Sequence, residues 1–467
     1  MITRFKKVMS LVLLVVMILS VMTGCGTTTP PVSSATPAAP GATESAAPAT
    51  AAPVVEEKHE IRLMTSWTAG SAAYESVEAL LETYKTTHPN ITIIHDALPS
   101  ADLRTKLTVE MAAGTPPDVS WCVLSYAREF AKDNKIIDWT SVYADPNHKE
   151  FAEWFSPVSL NFAKTTDGKI VMAPQEASID GLFYNTEMFT KFGWKAPQTF
   201  DELMALVPLI KAQGISPIVT GGKDGRFAWL ASALLIRSGG LENFEALTLG
   251  KAINGWNDPQ YGFVSAMEKF KQLVDAGAYP KGVLGMSASE ADQMFARGEA
   301  AMYYEGAWKP GNFEKAGGRE FLDKLARVNF PVMTDRPDGD VDINVGGNII
   351  GFIVASGMTD SKTQACIEFV KEISSPEFNV PIMEKGGSVY AGLADYDKTK
   401  VSNVMNQCIE AYRNAKGYIP SMDAIAPPAI DLAIKMTAMP GIITDEFDVT
   451  KAVAEVQKAA EDYLKAK

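Results

Sequence analysis

Glu305 and Trp308 stand together directly after an apolar run, AAMYY at residues 300–304, that is typical of a buried strand. Trp67 likewise ends the strand-like segment EIRLMTSW. The face of an indole ring can stack on the apolar C–H face of a pyranose, while carboxylates and amides bind its hydroxyl groups. These residue types at strand ends therefore indicate a carbohydrate-binding site.

Glu176, Asp180 and Glu305, beside aromatic residues, also fit a second function, glycoside hydrolysis. Retaining glycosidases hold two carboxyl groups about 5 Å apart and inverting ones about 6.5–9.5 Å apart, distances that a sequence does not give. The sequence contains no P-loop, G-x-G-x-x-G, H-E-x-x-H or G-x-S-x-G motif. The targeting segment and the longer motifs described below favour a binding protein, and we expect no enzyme. A glycoside-active enzyme and a binding protein for a non-sugar solute stay open as alternatives.

The composition narrows the class of protein. The chain has 467 residues, enough for two or three domains, of which 46% are hydrophobic and 21% charged, as in a soluble globular protein. A net charge of -13 argues against a nucleic-acid partner, which would favour a basic surface. Histidines and cysteines show neither metal-ligand spacing nor a disulfide framework, so we expect no metal and no cofactor.

The N-terminus has the pattern of a targeting segment. Basic residues precede an apolar run at 8–21, and residues 22–25 resemble a bacterial lipobox, which implies a lipoprotein signal peptide at 1–24 and acyl chains such as palmitate on Cys25. The alternative is an ordinary secretory signal with a chance cysteine. Residues 25–57 are rich in Thr, Pro, Ala and Ser, so we expect a disordered tether after the lipid.

The body of the chain alternates strand and helix patterns. EIRLMTSW, ITIIHDAL and PPDVSWCVL alternate with helical spacing, which predicts an α/β fold with a parallel sheet. We expect Ser100 to cap one helix, and Gly114 to end it. Thr199 with Glu202, and Ser289 with Asp292, are predicted capping boxes. Residues 449–464 have the pattern of an amphipathic helix.

Several longer motifs resemble one known family. DGKIVMAPQEASIDGLFYNTEMFTKFGWKAPQTFDEL at 167–203 and FARGEAAMYYEGAW at 295–308 resemble signatures of bacterial family 1 extracellular solute-binding proteins. GYIPSMDAI at 417–425 resembles the late segment from which sugar-binding members similar to maltose-binding protein supply a ligand contact. The resemblance covers essentially the whole mature chain.

The resemblance implies a periplasmic-binding-protein-like α/β fold of two lobes with a ligand cleft between them. Three crossing segments would join the lobes, near 174–178, 344–348 and 386–393. Lobe I would comprise 58–175 and 346–388, and lobe II 177–344 and 392–467. The lobes of this family close over the ligand by hinge motion.

The resemblance also implies partners and a location. The protein would be a monomer that binds a carbohydrate, an oligosaccharide more than a monosaccharide, and delivers it to the transmembrane permease subunits of an ABC importer. It would lie at the cell surface, held by its lipid anchor alone on the outer face of the cytoplasmic membrane.

Strand ends, crossing segments and family motifs select the candidate ligand-binding residues: Trp67, Trp121, Ser125, Glu176, Ser178, Asp180, Trp229, Glu305, Trp308, Asn348 and Asp423. Trp308 is predicted to stack on the ligand, and the alternative is that it is a tryptophan of the core. For Trp121 the sequence leaves two orientations open, towards the cleft or towards the core. The three crossing residues, at 176, 178 and 180, share one parity of a strand, although hinge ion pairs are an alternative role.

Overall fold

The structure, a computed structural model, describes residues 57–165, 167–336 and 343–466. The predicted signal peptide and Cys25 lie outside the described residues, as does the tether up to residue 56. The strands of the described part are β1 His59–Thr65, β2 Ile91–Ala97, β3 Val119–Val123, β4 Ala173–Ile179, β5 Gly181–Asn185, β6 Ser216–Val219, β7 Ala300–Glu305, β8 Leu325–Val328, β9 Ile343–Val354, β10 Val389–Tyr390 and β11 Gly417–Ile419.

Helices alternate with these strands along most of the chain, which confirms the predicted α/β class. They are α1 Ala72–Thr87, α2 Ser100–Ala113, α3 Leu124–Lys132, α4 Trp139–Ala144, α5 Lys149–Glu153, α6 Pro157–Phe162, α7 Thr186–Phe192, α8 Phe200–Lys211, α9 Phe227–Gly239, α10 Leu241–Thr248, α11 Phe263–Asp275, α12 Ala288–Ala296, α13 Lys309–Leu322, α14 Asp360–Ser374, α15 Pro376–Glu384, α16 Asn403–Asn414, α17 Met422–Ile425, α18 Pro428–Ala433, α19 Met439–Ile443 and α20 Val449–Lys465.

The strands form two separate sheets. The first has the order β10-β4-β9-β3-β1-β2, with β11 paired to β9, and the second has the order β6-β7-β5-β8. Strands β1, β2 and β3 are parallel, as their alternation with helices predicts, but β9 runs antiparallel to both β3 and β4. The sheets are therefore mixed, and the prediction of a parallel sheet holds only for part of each.

The chain passes from the first sheet to the second within one residue. β4 ends at Ile179 and β5 begins at Gly181, so Asp180 stands between the sheets. Beside this passage, Gly346 and Gly347 of β9 have φ angles of 142° and 109°, and a Cβ on Gly346 would lie 2.3 Å from the Ser178 carbonyl oxygen. The glycines therefore allow a close approach of two backbones. The boundaries of the two lobes stay a prediction.

Local signals at helix ends are confirmed in part. Thr199 and Glu202 form the predicted capping box of α8, and Gly114 ends α2 in the left-handed conformation. The predicted box at Ser289 is wrong, because α12 begins two residues earlier with Ser287 and Glu290 as its box. Ser100 is likewise the first residue of α2 and not its cap, since Pro99 precedes the helix there.

Apolar side chains of both sheets are buried against the flanking helices. Helix α20 packs with Val453, Val456 and Ala460 in the core beside the second sheet, as its amphipathic pattern predicts. A second cluster, built on β1, β3 and β9, includes Leu63, Val119 and Phe352. These two cores fix the strands whose ends present the candidate residues.

Candidate functional site

The turn after β7 positions Trp308 by means of a glycine. A Cβ added to Gly306 would lie 1.9 Å from Cζ3 of the Trp308 ring, so the indole occupies the space that a side chain at 306 would need. Trp308 itself is half-buried and precedes the first residue of α13. The absence of a side chain at Gly306 therefore allows the indole to lie where it does.

We expect Gly306→Ala to displace the Trp308 ring, since the new methyl group and the indole cannot occupy the same space. The change should alter the near-ultraviolet circular dichroism of the tryptophans and lower the melting temperature moderately. Gly285→Ala is the control, because a Cβ there meets no atom within 4 Å. Identical spectra for Gly306→Ala and the unmodified protein would contradict this placement of the ring.

Trp308 packs against a second tryptophan that the sequence also selected. The rings of Trp229 and Trp308 meet edge to face with centroids 4.9 Å apart, and the guanidinium of Arg226 lies 4.0 Å from the Trp229 ring. Arg226 Nε also lies 3.7 Å from Glu305 Oε1. The cation and the edge-to-face contact both favour this arrangement of the rings.

Beneath the tryptophans lies a buried group of charges. Lys309 Nζ is 2.6 Å from Asp292 Oδ1 and 3.9 Å from Glu305 Oε1, and Lys309 and Glu305 are 1% and 0% exposed. Burial raises the pKa of Glu305, although Lys309 and Arg226 act in the opposite direction. Glu305 is thus held inside a charge network and does not extend freely from the turn.

A cavity of about 610 Å³ opens beside Trp308. Its walls come from elements of both sheets: Ser66, Trp67 and Thr68 follow β1, Gln175 and Glu176 belong to β4, Trp308 follows β7, and further residues come from the start of α13, from α15 and from the turn after α15. The volume lies within the range of small-molecule sites, roughly 300–1,000 Å³. Three of the predicted residues, Trp67, Glu176 and Trp308, therefore line one cavity.

Trp67 offers less of its ring face than the sequence suggests. The ring packs against Phe352 and Phe378, with centroids 5.5 and 5.7 Å away, and the residue is 5% exposed. Its indole Nε1 is buried and lacks a hydrogen-bond partner among the described residues. Trp67 therefore has an unpaired indole nitrogen but little exposed ring face on which a ligand could stack.

The predicted common face of Glu176, Ser178 and Asp180 is broken in the structure. The pairing of β4 with β9 shifts register on both sides of Glu176, which disturbs the strict alternation of side chains. Glu176 lines the large cavity, and its burial raises its pKa, while Ser178 and Asp180 are buried away from that cavity. The Ser178 hydroxyl lacks a hydrogen-bond partner among the described residues.

Asp180 lies at the passage between the sheets with an unusual charge balance. Burial, followed by the nearby charges of Glu305 and Asp423, raises its pKa well above the ordinary value, against the opposing effect of Arg327 and Arg226. Arg327 Nη2 donates to the carbonyl oxygen of Asp180 at 2.5 Å and to Asn329 Oδ1 at 3.1 Å.

We expect Asp180→Asn to raise the melting temperature of the ligand-free protein at pH 7 by about 2 °C or more. The pKa of Asp180 is higher in the folded state than in the unfolded state. Between these two pKa values the folded state binds more protons than the unfolded state, so the free energy of unfolding falls as pH rises through this range. The gain should vanish below about pH 4, where both states are protonated. Thermal unfolding between pH 4 and 8 measures it, with exposed Asp323→Asn as control.

The other predicted residues lie outside the large cavity. Trp121 is 4% exposed within the core built on β1, β3 and β9, which resolves its open orientation in favour of the core. Ser125 is partly buried at the start of α3, and Asp423 is exposed in α17, a helix that contacts α3. Asn348 belongs to β9, but its side chain lies outside the described residues. Ligand binding by these residues stays a prediction.

Two residues beside the site, Arg226 and Gln175, were not predicted from the sequence. Arg226 stands three residues before Trp229, a spacing that places both near one helical face at the start of α9. Gln175 lines the cavity although it has the opposite parity to Glu176, because the register shifts of β4 disturb the alternation. The motif GGKDGRFAW was a usable signal for Arg226, whereas no local pattern pointed to Gln175.

The profile of a family described as bacterial extracellular solute-binding protein matches residues 65–377 of this chain. The chain belongs to this family. The family binds solutes, and the expectation of a binding protein agrees with it. Among the residues that the structure describes, no helix combines the length and the apolar character needed to cross a membrane.

Individual relatives of this solute-binding protein are distant. A "Probable sugar-binding periplasmic protein" from Mesorhizobium japonicum is 24% identical over 372 residues, covering 77% of this chain and 83% of the relative. The sn-glycerol-3-phosphate-binding periplasmic protein UgpB of Brucella abortus is 26% identical over 288 residues, 58% of this chain and 61% of the relative.

Solved structures confirm the fold. The structure of a chitin oligosaccharide binding protein superposes with a TM-score of 0.74 at 23% identity, covering 87% of this chain and 98% of that one. At this identity the likeness establishes the periplasmic-binding-protein-like α/β fold that the motifs implied. The identity of the solute depends on the chemistry of the cavity.

Proposed function

We propose that this protein captures a carbohydrate, an oligosaccharide by preference, in the cavity lined by Trp67, Glu176 and Trp308, and delivers it to the permease of an ABC importer. The observation that supports this most is the combination, in one cavity of about 610 Å³, of a half-buried indole with acid, amide and hydroxyl groups. A pyranose needs such a combination, because its C–H face is apolar and its edge is lined with hydroxyl groups.

Closure of the cavity would couple binding to a change of conformation. At its edge, helix α13 approaches the turn after α15 so closely that a Cβ on Gly311 would lie 2.6 Å from the Gly386 carbonyl oxygen. A ligand in contact with residues beside both sheets stabilises the closed form only by contacts that the open form lacks. We propose that the importer recognises this closed form, and that acyl chains on Cys25 hold the protein at the membrane.

A thermal-shift screen tests the carbohydrate proposal. Chitotriose, xylotriose, maltotriose and raffinose form the sugar arm, and at least one should raise the melting temperature, because a ligand that binds only the folded state stabilises it. Peptides, spermidine and sn-glycerol 3-phosphate form the other arm. A shift by a member of this second arm alone would reject a carbohydrate as the solute.

The enzyme alternative is separated by a direct assay. Incubation of the oligosaccharide that binds best with stoichiometric protein should leave it intact, as chromatography of the products would show. The carboxyl groups near the cavity then serve as hydrogen-bond acceptors. Release of shorter sugars would instead assign the acidic residues to hydrolysis.

A further inference from the structure

Gln175 and Asn379 form a pair of amides whose orientation is fixed by the fold. The two nitrogen–hydrogen bonds of Asn379 Nδ2 donate to the carbonyl oxygens of Ile373 and Ser375, at 3.1 and 2.9 Å. The amide oxygen of Asn379 must therefore face the other way, where it accepts a hydrogen bond of 2.8 Å from Gln175 Nε2. One N–H group of Gln175 is thus used within the protein.

The acceptor side of Gln175 is left without a partner. Gln175 is only 4% exposed, and its Oε1 is buried and forms no hydrogen bond among the described residues. Gln175 and Asn379 both line the large cavity. A buried acceptor without a partner costs free energy, and one placed at the wall of a binding cavity points to a group that the ligand supplies.

Trp67, another residue of the cavity wall, carries an unpaired donor. Its Nε1 is buried without a partner, and the residue lines the cavity with Gln175. Trp121, Trp139 and Trp256 also bury unpaired indole nitrogens, but none of these three residues lines the cavity. An unpaired indole alone therefore indicates little, but at this wall it accompanies the oriented acceptor of Gln175.

We propose that Gln175 and Trp67 bind hydroxyl groups of one sugar ring, with Gln175 Oε1 accepting a hydrogen bond from the ligand and Trp67 Nε1 donating one. Asn379 is the positioning residue that orients Gln175. This inference rests on the proposed function and narrows its solute to a compound that presents hydroxyl groups to this part of the wall. Neither Gln175 nor Asn379 was among the residues that the sequence selected.

The chemistry of the pair distinguishes between classes of solute. A hydroxyl group both donates and accepts, so it satisfies the glutamine oxygen and the indole nitrogen alike. An ionised phosphate or carboxylate only accepts and would leave Gln175 Oε1 unpaired, while an ammonium group only donates and would leave Trp67 Nε1 unpaired. A site built for hydrogen bonds to hydroxyl groups rejects analogues that lack them.

Gln175→Met tests the acceptor with little change of side-chain volume. We expect the best-binding oligosaccharide of the screen to bind 10- to 100-fold more weakly, as measured by calorimetry, because its hydroxyl loses a buried acceptor. Gln457→Met is a matched control: Gln457 of α20 is also buried, its Nε2 donates to Glu461 at 2.9 Å, and its Oε1 is also unpaired. This control should bind the sugar normally.

Trp67→Phe tests the donor, with Trp139→Phe as control for the loss of a buried indole nitrogen. The first variant should weaken binding at least 10-fold, whereas the control should change stability alone. Among monodeoxy analogues of the sugar, at least one should bind more weakly than the parent sugar to the unmodified protein. The same analogue and the parent sugar should bind Gln175→Met with equal affinity. That loss of discrimination distinguishes a direct contact from a structural defect.

Two results would overturn the inference in different ways. If the unmodified protein binds the sugar and Gln175→Met binds it equally well, the assignment of the subsite is wrong while the proposed function stands. If no member of the sugar arm binds the unmodified protein, the proposed function fails, and the hydroxyl subsite fails with it.

Discussion

Lys309→Met is expected to lower the free energy of unfolding at pH 7 by about 3–5 kcal/mol, the usual effect of removing one partner from a buried ion pair. Lys309 is 1% exposed and stands between Asp292 and Glu305, which are 5% and 0% exposed. Methionine fills a similar volume, so the loss reflects two buried carboxylates without their cation. Urea unfolding followed by circular dichroism measures it.

The pH dependence of Lys309→Met adds a second readout. Lys309 lowers the pKa of Glu305, so without this cation the folded-state pKa of Glu305 should rise further and the variant should recover stability as pH falls from 7 towards 5. Lys324→Met is the control, since Lys324 pairs with Glu187 and Glu320 in a more exposed position and should change stability little. Equal losses of unfolding free energy in the two variants would show that the buried ion pairs of Lys309 stabilise the protein no more than exposed ones.

Trp308→Ala should weaken binding of the best oligosaccharide by about 10- to 100-fold, corresponding to about 1–3 kcal/mol for loss of an aromatic contact. The half-buried indole lines the cavity and is held in place by Trp229 and by the space at Gly306. Trp308→Phe should retain most of the affinity, because it keeps an aromatic face. Calorimetric titration gives the dissociation constants.

Trp194→Ala provides a matched control for the loss of an indole. Trp194 is also partly buried and packs on Phe189 and Phe192, at 5.7 and 4.7 Å, but it does not line the cavity. It should bind the sugar with unchanged affinity. Unchanged affinity in Trp308→Ala as well would remove Trp308 from the site.

Local sequence predicted those features that depend on neighbouring residues. The capping box of α8, the left-handed glycine after α2 and the amphipathic α20 follow from the residues that form them. The strand at 300–305 and the tryptophan after it were also visible, because an apolar run that ends in Glu-Gly is a local pattern. The family motifs supplied the two-lobed arrangement, which spacing alone did not.

Other features depended on contacts between distant segments. The register shifts of β4 arise from its pairing with β9, about 170 residues later, and they separate Glu176 from Ser178 and Asp180. Trp121 and Trp67 follow similar strand patterns, yet only Trp67 reaches the cavity wall. The face on which a strand-end side chain lies is set by packing that the strand itself does not encode.

By itself, the sequence predicted an α/β fold with Trp308 after a core strand, and its motifs indicated a solute-binding protein, because periodicity, caps and motifs are local properties. Only the tertiary structure decided which polar residues line the cavity and which are held in networks beside it. Gln175 is oriented by Asn379, 204 residues away, and Glu305 is enclosed by Lys309 and Arg226. A hydrogen bond depends on distance and direction between two side chains, and for residues far apart in the chain these exist only once it has folded.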